Sequence, residues 1–197
     1  MTTYAHKLES FILDANTTVS LLPPGKPLML QLDDPAIKAM TDLKQVRLIT
    51  IRPDRSIEFA LDLMKHAGIR MLVVTDLSGM LAGLVTARDI MGEKPLRIMT
   101  RDRVKHEEIQ VSQVMTTRDQ LNPFNFAEVE HATVRDVILQ LRNAGRQHAI
   151  VVESLETGPG YFLRGIFSVT QIGRQLGMEI PVDSHVQSFA EFEKMIA

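Results

Sequence analysis

The chain runs through the same pattern of elements twice, and this duplication constrains its fold more than any other feature. Residues 57–68 read IEFALDLMKHAG and residues 134–145 read VRDVILQLRNAG. Ile57, Ala60, Leu61 and Met64 recur at helical spacing, as do Val134, Val137, Ile138 and Leu141. Each segment therefore carries one apolar stripe along a helix. Gly68 and Gly145 stand where a left-handed residue closes such a helix. Upstream, Ala39-Met40-Thr41 pairs with Val114-Met115-Thr116; downstream, Met71 to Val74 pairs with Ala149 to Val152. The downstream runs are apolar and rich in β-branched residues, which predicts buried strands. Turn residues follow, Asp76 to Gly79 in one copy and Glu156 to Gly160 in the other, and then a second strand, Met80 to Val85 or Tyr161 to Phe167. The extra residues of the second copy fall largely in loops, where insertions cost least. Each unit reads strand, helix, strand, tight hairpin, strand, short helix. A unit of roughly 60 residues is marginal alone, so the two are expected to pack face to face and share one core.

Composition narrows the function classes. The chain has 197 residues, 45% hydrophobic and 23% charged, in the ordinary globular range. Its 22 Lys+Arg against 24 Asp+Glu leave a formal net charge of -2. That withholds the broad basic surface needed for non-specific nucleic-acid binding. The absence of Cys excludes disulfides, thiol nucleophiles and thiolate metal sites. No run of ~18–20 apolar residues could span a bilayer. The first residues, MTTYAHKLES, lack the basic and apolar regions of a secretory signal. A soluble, cytoplasmic protein without membrane association is expected. Eleven Met and no Trp favour thin, tightly packed layers. The six His form no HxxxH or HxH pair, and no P-loop, G-x-S-x-G or H-E-x-x-H is present. Neither a metal site nor catalysis is expected. Arg101 to His106 and the acidic pairs Asp33-Asp34 and Glu107-Glu108 read as solvated stretches.

The end of the third strand carries the most chemistry. Gly83-Leu84-Val85-Thr86-Ala87-Arg88-Asp89 places a hydroxyl at a strand end and a carboxylate in the first turn of a short helix. Thr86 and the helix N–H groups can donate to a phosphate, and Arg88 can add a charge-assisted bond. Asp89 can accept from two ribose hydroxyls. The same spacing also fits a plain capping box, with Thr86 as N-cap and Asp89 three residues on.

In the context of the duplication, Gly83 to Asp89 resembles the signature of the CBS domain family (cystathionine-β-synthase-type domains), glycine, hydrophobic, any residue, Thr or Ser, two residues, then Asp or Asn. The Met-Thr lead-in, the helix closed by Gly, and Arg70 to Asp76 also match the family pattern. The resemblance implies an α/β (α+β) fold of tandem β-α-β-β-α repeats forming a pseudo-twofold pair, often called a Bateman module. The expected boundaries are 1–34 for an N-terminal extension, 35–95 for repeat 1, 96–111 for a linker, 112–177 for repeat 2 and 178–197 for a C-terminal helix. It further implies a regulatory module, not an enzyme, that binds an adenosine-containing ligand (AMP, ADP, ATP or S-adenosylmethionine) between the repeats. A homodimer and an effector protein are the implied partners. With roughly 55 residues outside the pair, too few for a further large domain, the module is expected to stand alone. The alternative is a structural dimerisation module with a vestigial pocket.

By the resemblance, Asp89 holds the ribose, Thr86 and Arg88 address phosphates, and Asp42 to Val46 with Arg70 and Met71 wall the base. The second copy reads Gly165-Ile166-Phe167-Ser168-Val169-Thr170-Gln171. Gln171 replaces the carboxylate and Thr170 stands opposite Arg88, so a degenerate second site with Ser168, Gln171 and His148 is expected. In the flanks, Tyr4 to Leu13 and Ser184 to Ile196 predict helices. The latter starts with a Ser184–Gln187 capping box, and it either docks on its own domain or meets a partner. Glu107 to Met115 is expected to be helical, with Gly92-Glu93-Lys94-Pro95 closing the first unit.

Overall fold

The computed structural model describes residues 29–156 and 158–181, and the duplication is plain in its order of elements. The first copy runs β1 (Thr41–Asp42), β2 (Thr50–Ile51), α1 (Ile57–Ala67), β3 (Met71–Thr75), β4 (Leu81–Thr86) and α2 (Ala87–Met91). A helix α3 (Glu93–Asp102) leads to the second copy, which opens with α4 (Val111–Val114), β5 (Thr116–Thr117), β6 (Phe124–Asn125) and α5 (Phe126–Val129). It continues with α6 (Val134–Asn143), β7 (His148–Ser154), β8 (Tyr161–Ser168) and α7 (Val169–Leu176). The helices expected over Tyr4 to Leu13 and Ser184 to Ile196 lie outside the described residues.

Local chemistry sets the borders of the two long matched helices. Ser56 Oγ accepts from the Phe59 N–H at 3.2 Å to start α1. Thr133 and Asp136 form a reciprocal capping box to start α6. Gly68 and Gly145 take the left-handed conformation just past their ends, with φ of 65° and 60°. Gly92 to Pro95, at the expected end of the first unit, opens α3, with Pro95 in the first turn, where no N–H is needed. One expectation is corrected. Glu107 to Met115 is not one helix. A short 3-10 turn at His106–Glu108 and α4 are separated by extended Ile109 and Gln110, whose neighbours pair with the loop before α1. Ile57 N–H donates to the Ile109 carbonyl, and Val111 N–H to that of Arg55.

The strands form two four-stranded sheets, β2-β3-β4-β5 and β6-β7-β8-β1. Each sheet is closed by a strand from the other copy. Second-copy β5 pairs antiparallel with β4, placing Gly83 opposite Thr117. First-copy β1 pairs antiparallel with β8, placing Asp42 opposite Gly165. This exchange explains the glycine common to both copies. A Cβ on Gly83 would run into the Thr116 carbonyl, and one on Gly165 into the Met40 side chain. Isolated bridges Pro35↔Thr133 and Ser56↔Gln110 repeat the exchange. Both hairpins also shift register beside the shared glycine, at Val74/Thr75 opposite Gly83 and at Val151/Val152 opposite Gly165.

The expectation of one shared core is corrected as well. Each sheet and its helices enclose a separate core: Ile57, Met64, Leu72 and Val85 anchor one, Ile138, Leu141, Val151 and Phe167 the other. The exchanged segments enter the opposite core, Ile109, Val111 and Val114 in the first, Ala36, Ala39 and Met40 in the second. A third, smaller cluster of Met71, Val73, Leu84 and Ile150 joins the sheets. The reason is geometric: each sheet has two faces, one covered by its helices and the other turned to its counterpart.

Candidate functional site

The junction of the sheets leaves two clefts, and each is built from both copies. The smaller, about 260 Å³, is lined by Thr86, Arg88 and Asp89 of the first signature. Facing them are Thr116, Leu121, Asn122 and the Gly145 to Ile150 stretch of the second copy. The larger, about 480 Å³, is lined by Ser168, Thr170, Gln171 and Arg174. Opposite them stand the first-copy segments Leu43 to Ile49 (Val46 and Arg47 among them) and Gly68 to Met71.

This arrangement divides the seven residues that the family resemblance assigns to one cleft. Thr86, Arg88 and Asp89 line the smaller cleft, while Val46 and Arg70 line the larger one beside Ser168 and Gln171. Met71 and His148 line both. The strand exchange is the cause. Because β1 and β5 change sheets, each signature faces the lead-in and middle strand of the other copy, and of its own middle strand only the first residue, Met71 or His148, reaches its cleft.

Asp42 lines neither cleft. It is captured by Arg164 of β8, which is only 7% exposed, and by the Lys44 N–H at 2.8 Å. Burial alone would raise the Asp42 pKa, but the Arg164 and Lys44 bonds outweigh it and hold the carboxyl below its ordinary value. The Arg164 Nε also meets Glu153 at 2.9 Å, and its guanidinium lies 4.5 Å from the centre of the Phe126 ring. The Leu43 N–H donates to the Arg164 carbonyl at 3.1 Å. Asp42 is thus the anchor of the segment that walls the larger cleft.

The two signatures also differ in what already occupies their polar atoms. Thr86 Oγ1 donates to Asp89 Oδ2 at 2.6 Å, and the Thr86 N–H donates to the same oxygen at 2.9 Å. Lys94 Nζ donates to Asp89 Oδ1 at 2.6 Å and to the Val114 carbonyl at 2.8 Å. The capping box that the spacing allowed is therefore formed, and both carboxylate oxygens have partners. In the second copy, Ser168 makes no capping bond. Gln171 Oε1 accepts from Thr41 Oγ1 at 3.1 Å, joining the two copies across the larger cleft. Its amide N–H groups are donors that can serve a ligand oxygen.

Charge separates the clefts further. Arg47, Arg70 and Arg174 line the larger one, with no carboxylate among its lining residues. Arg88, Arg146 and Asp89 line the smaller one. Between them, His148 Nδ1 is buried with no hydrogen-bond partner among the described residues. Burial, and after it the Arg70 charge, push its pKa down to about 4, with Asp89 acting in the opposite sense. Sequence reasoning missed Arg47, Arg174 and Lys94. Arg174 had a signal in its spacing, three residues beyond Gln171 and four beyond Thr170 on one helix face. Lys94 had none, since its link to Asp89 depends on how α2 turns into α3. Among the described residues, no cluster of three or more His, Asp or Glu could hold a metal ion, and no helix is long and apolar enough to cross a membrane.

Residues 27–95 match the CBS domain family. No curated protein matches the chain. Among solved structures, an uncharacterized conserved protein from Pyrococcus horikoshii aligns over 73% of this chain and 92% of its own, at 21% identity and a TM-score of 0.50. A CBS-domain containing protein from Agrobacterium tumefaciens aligns over 68% and 88%, at 22% identity and a TM-score of 0.50. CBSX2, solved in complex with AMP, aligns over 72% and 94%, at 19% identity and a TM-score of 0.48. The likeness to the first two, at these identities, speaks for the fold. Residues 27–95 are thus a CBS domain in sequence, and the two copies together share the fold of those two solved structures.

Proposed function

We propose that this chain is a non-enzymatic regulatory module that binds an adenine nucleotide in the larger cleft and passes its occupancy to a partner protein. The observation that carries this reading is the wall of that cleft. Among the described residues it presents three arginines, no carboxylate, and an apolar surface including Leu48, Ile49 and Ile166. A flat base suits the apolar wall and phosphates suit the arginines. The volume of about 480 Å³ lies in the range of small-molecule sites, about 300–1,000 Å³. S-adenosylmethionine fits less well, because its sulfonium and ammonium groups would face cations. The smaller cleft is a secondary site in this reading, since Asp89 must loosen its bonds to Thr86 and Lys94 before it can serve a ribose.

Because each cleft is built from both copies, a ligand can favour one arrangement of the repeats over another. A partner that distinguishes those arrangements reads the ligand. The homodimer implied by the family resemblance and a cytoplasmic location belong to the same proposal.

Titration calorimetry with AMP, ADP, ATP and S-adenosylmethionine tests it. AMP is expected to bind at least tenfold more tightly than S-adenosylmethionine. Arg70→Ala and Arg174→Ala should each weaken AMP about tenfold, the scale of one charge-assisted bond, and Arg88→Ala less than threefold. Tighter S-adenosylmethionine binding, or a larger loss from Arg88→Ala than from the other two, overturns the assignment. A folded chain that binds none of the four is the vestigial module instead.

A further inference from the structure

Among the described residues, His148 is placed as no other polar side chain is. It opens β7 and lines both clefts, and its buried Nδ1 lacks a partner. An unsatisfied buried nitrogen is costly, and a phosphate entering either cleft offers the acceptor it lacks. The charged groups around it come from every side. Arg70 precedes β3, Arg88 and Asp89 belong to α2, and Arg146 lies two residues before it. Arg47 and Arg174 line the larger cleft with it.

We propose that His148 is a ligand-binding residue shared by the two clefts, and that a nucleotide phosphate binds together with a proton taken up by its imidazole. The proposal rests on the reading of the clefts as nucleotide sites. In the free chain the ring is neutral at pH 7, since burial and Arg70 disfavour its charge. A phosphate anion beside it reverses that balance: it neutralises the Arg70 field and accepts from an imidazolium N–H. The pKa of His148 then rises on binding. By linkage, the gain in affinity is full below the free-chain pKa of about 4 and is lost as pH rises through the raised value of the complex. One ring serves both clefts, so uptake cannot exceed one proton per chain at this residue, even with two nucleotides bound.

The test is an NMR titration of the histidine ring resonances of the full chain, without and with saturating AMP. His148→Asn assigns the signal, and His148→Gln does so if the first variant fails to fold. The expected result is a midpoint well below 6.5 in the free chain that rises by at least about one pH unit with AMP. A rise of that size corresponds to about tenfold tighter binding of AMP to the protonated form. The AMP phosphate itself titrates near ~6, so affinities are read as the difference between wild type and variant. That difference should grow as pH falls from 7 to 5. A His148 midpoint that AMP leaves unchanged while other cleft resonances move overturns the proton coupling alone. If AMP moves no resonance of either cleft, the nucleotide reading falls, and the coupling falls with it.

Discussion

The two clefts are made from matching parts, yet they differ in the property that matters for a ligand. The smaller one contains the signature that fits its family pattern in full, Gly83 to Asp89, but that signature is turned inward on itself. Its carboxylate caps α2 and holds Lys94. The larger one contains the copy in which the carboxylate has become Gln171, and it is lined by three arginines. Matching a motif measures descent and local geometry. Binding depends on which atoms remain available and on what the opposite copy brings to face them.

The largest effect expected from breaking this comparison is at Arg164, which anchors the wall of the larger cleft only. Arg164→Ala takes from Asp42 and Glu153 their shared cation, leaving only Lys44 beside Glu153 at 3.3 Å, and removes two charge-assisted bonds worth about 1.5–3 kcal/mol each. Chemical denaturation should show that loss. It should also show an altered acid limb: the folded Asp42 pKa lies below its unfolded value, so its contribution is present above the unfolded pKa and is lost as pH falls through the folded one. In Arg164→Ala that dependence should shrink. A cost under about 1 kcal/mol would mean that the network does not anchor the segment.

The crossing points come next. Gly83→Ala drives a methyl into the Thr116 backbone, whereas Gly165→Ala meets the flexible end of Met40. The first should cost about 3 kcal/mol and the second about 1 kcal/mol. Equal losses would show that the exchanged strands are held alike. The smallest contrast is at the helix starts. Thr86→Ala removes a formed capping box and should cost about 1 kcal/mol, while Ser168→Ala, which removes no capping bond, should be close to neutral. A Ser168→Ala loss as large as that of Thr86→Ala would mean that the second signature is capped in solution.

Much of this was legible in the residues. The stripes Ile57-Ala60-Leu61-Met64 and Val134-Val137-Ile138-Leu141 stated two helices, and their apolar positions do face the two cores. The strands following them, and the hairpins, were equally plain. The Thr86-Asp89 spacing allowed both a capping box and a ligand site, and the folded chain forms the box. Asp42 was misplaced for a different reason: its partner Arg164 lies more than a hundred residues away, and no local pattern links them. Arg47 and Arg174 looked like ordinary surface charges, and only their meeting across one cleft sets them apart.

The sequence alone therefore determined the two units, the type and order of their main elements, and the positions where a glycine is required. Those are properties of period and of single residues, and they can be read within a dozen positions. Only the tertiary structure decided which signature faces which wall. That depends on β1 and β5 trading sheets, and a two-residue strand carries no pattern that names its partner. Backbone pairing is nearly blind to residue type, so the choice falls to the packing of the whole chain: Met40 and Ile109 each buried in the opposite core, and an arginine waiting for Asp42.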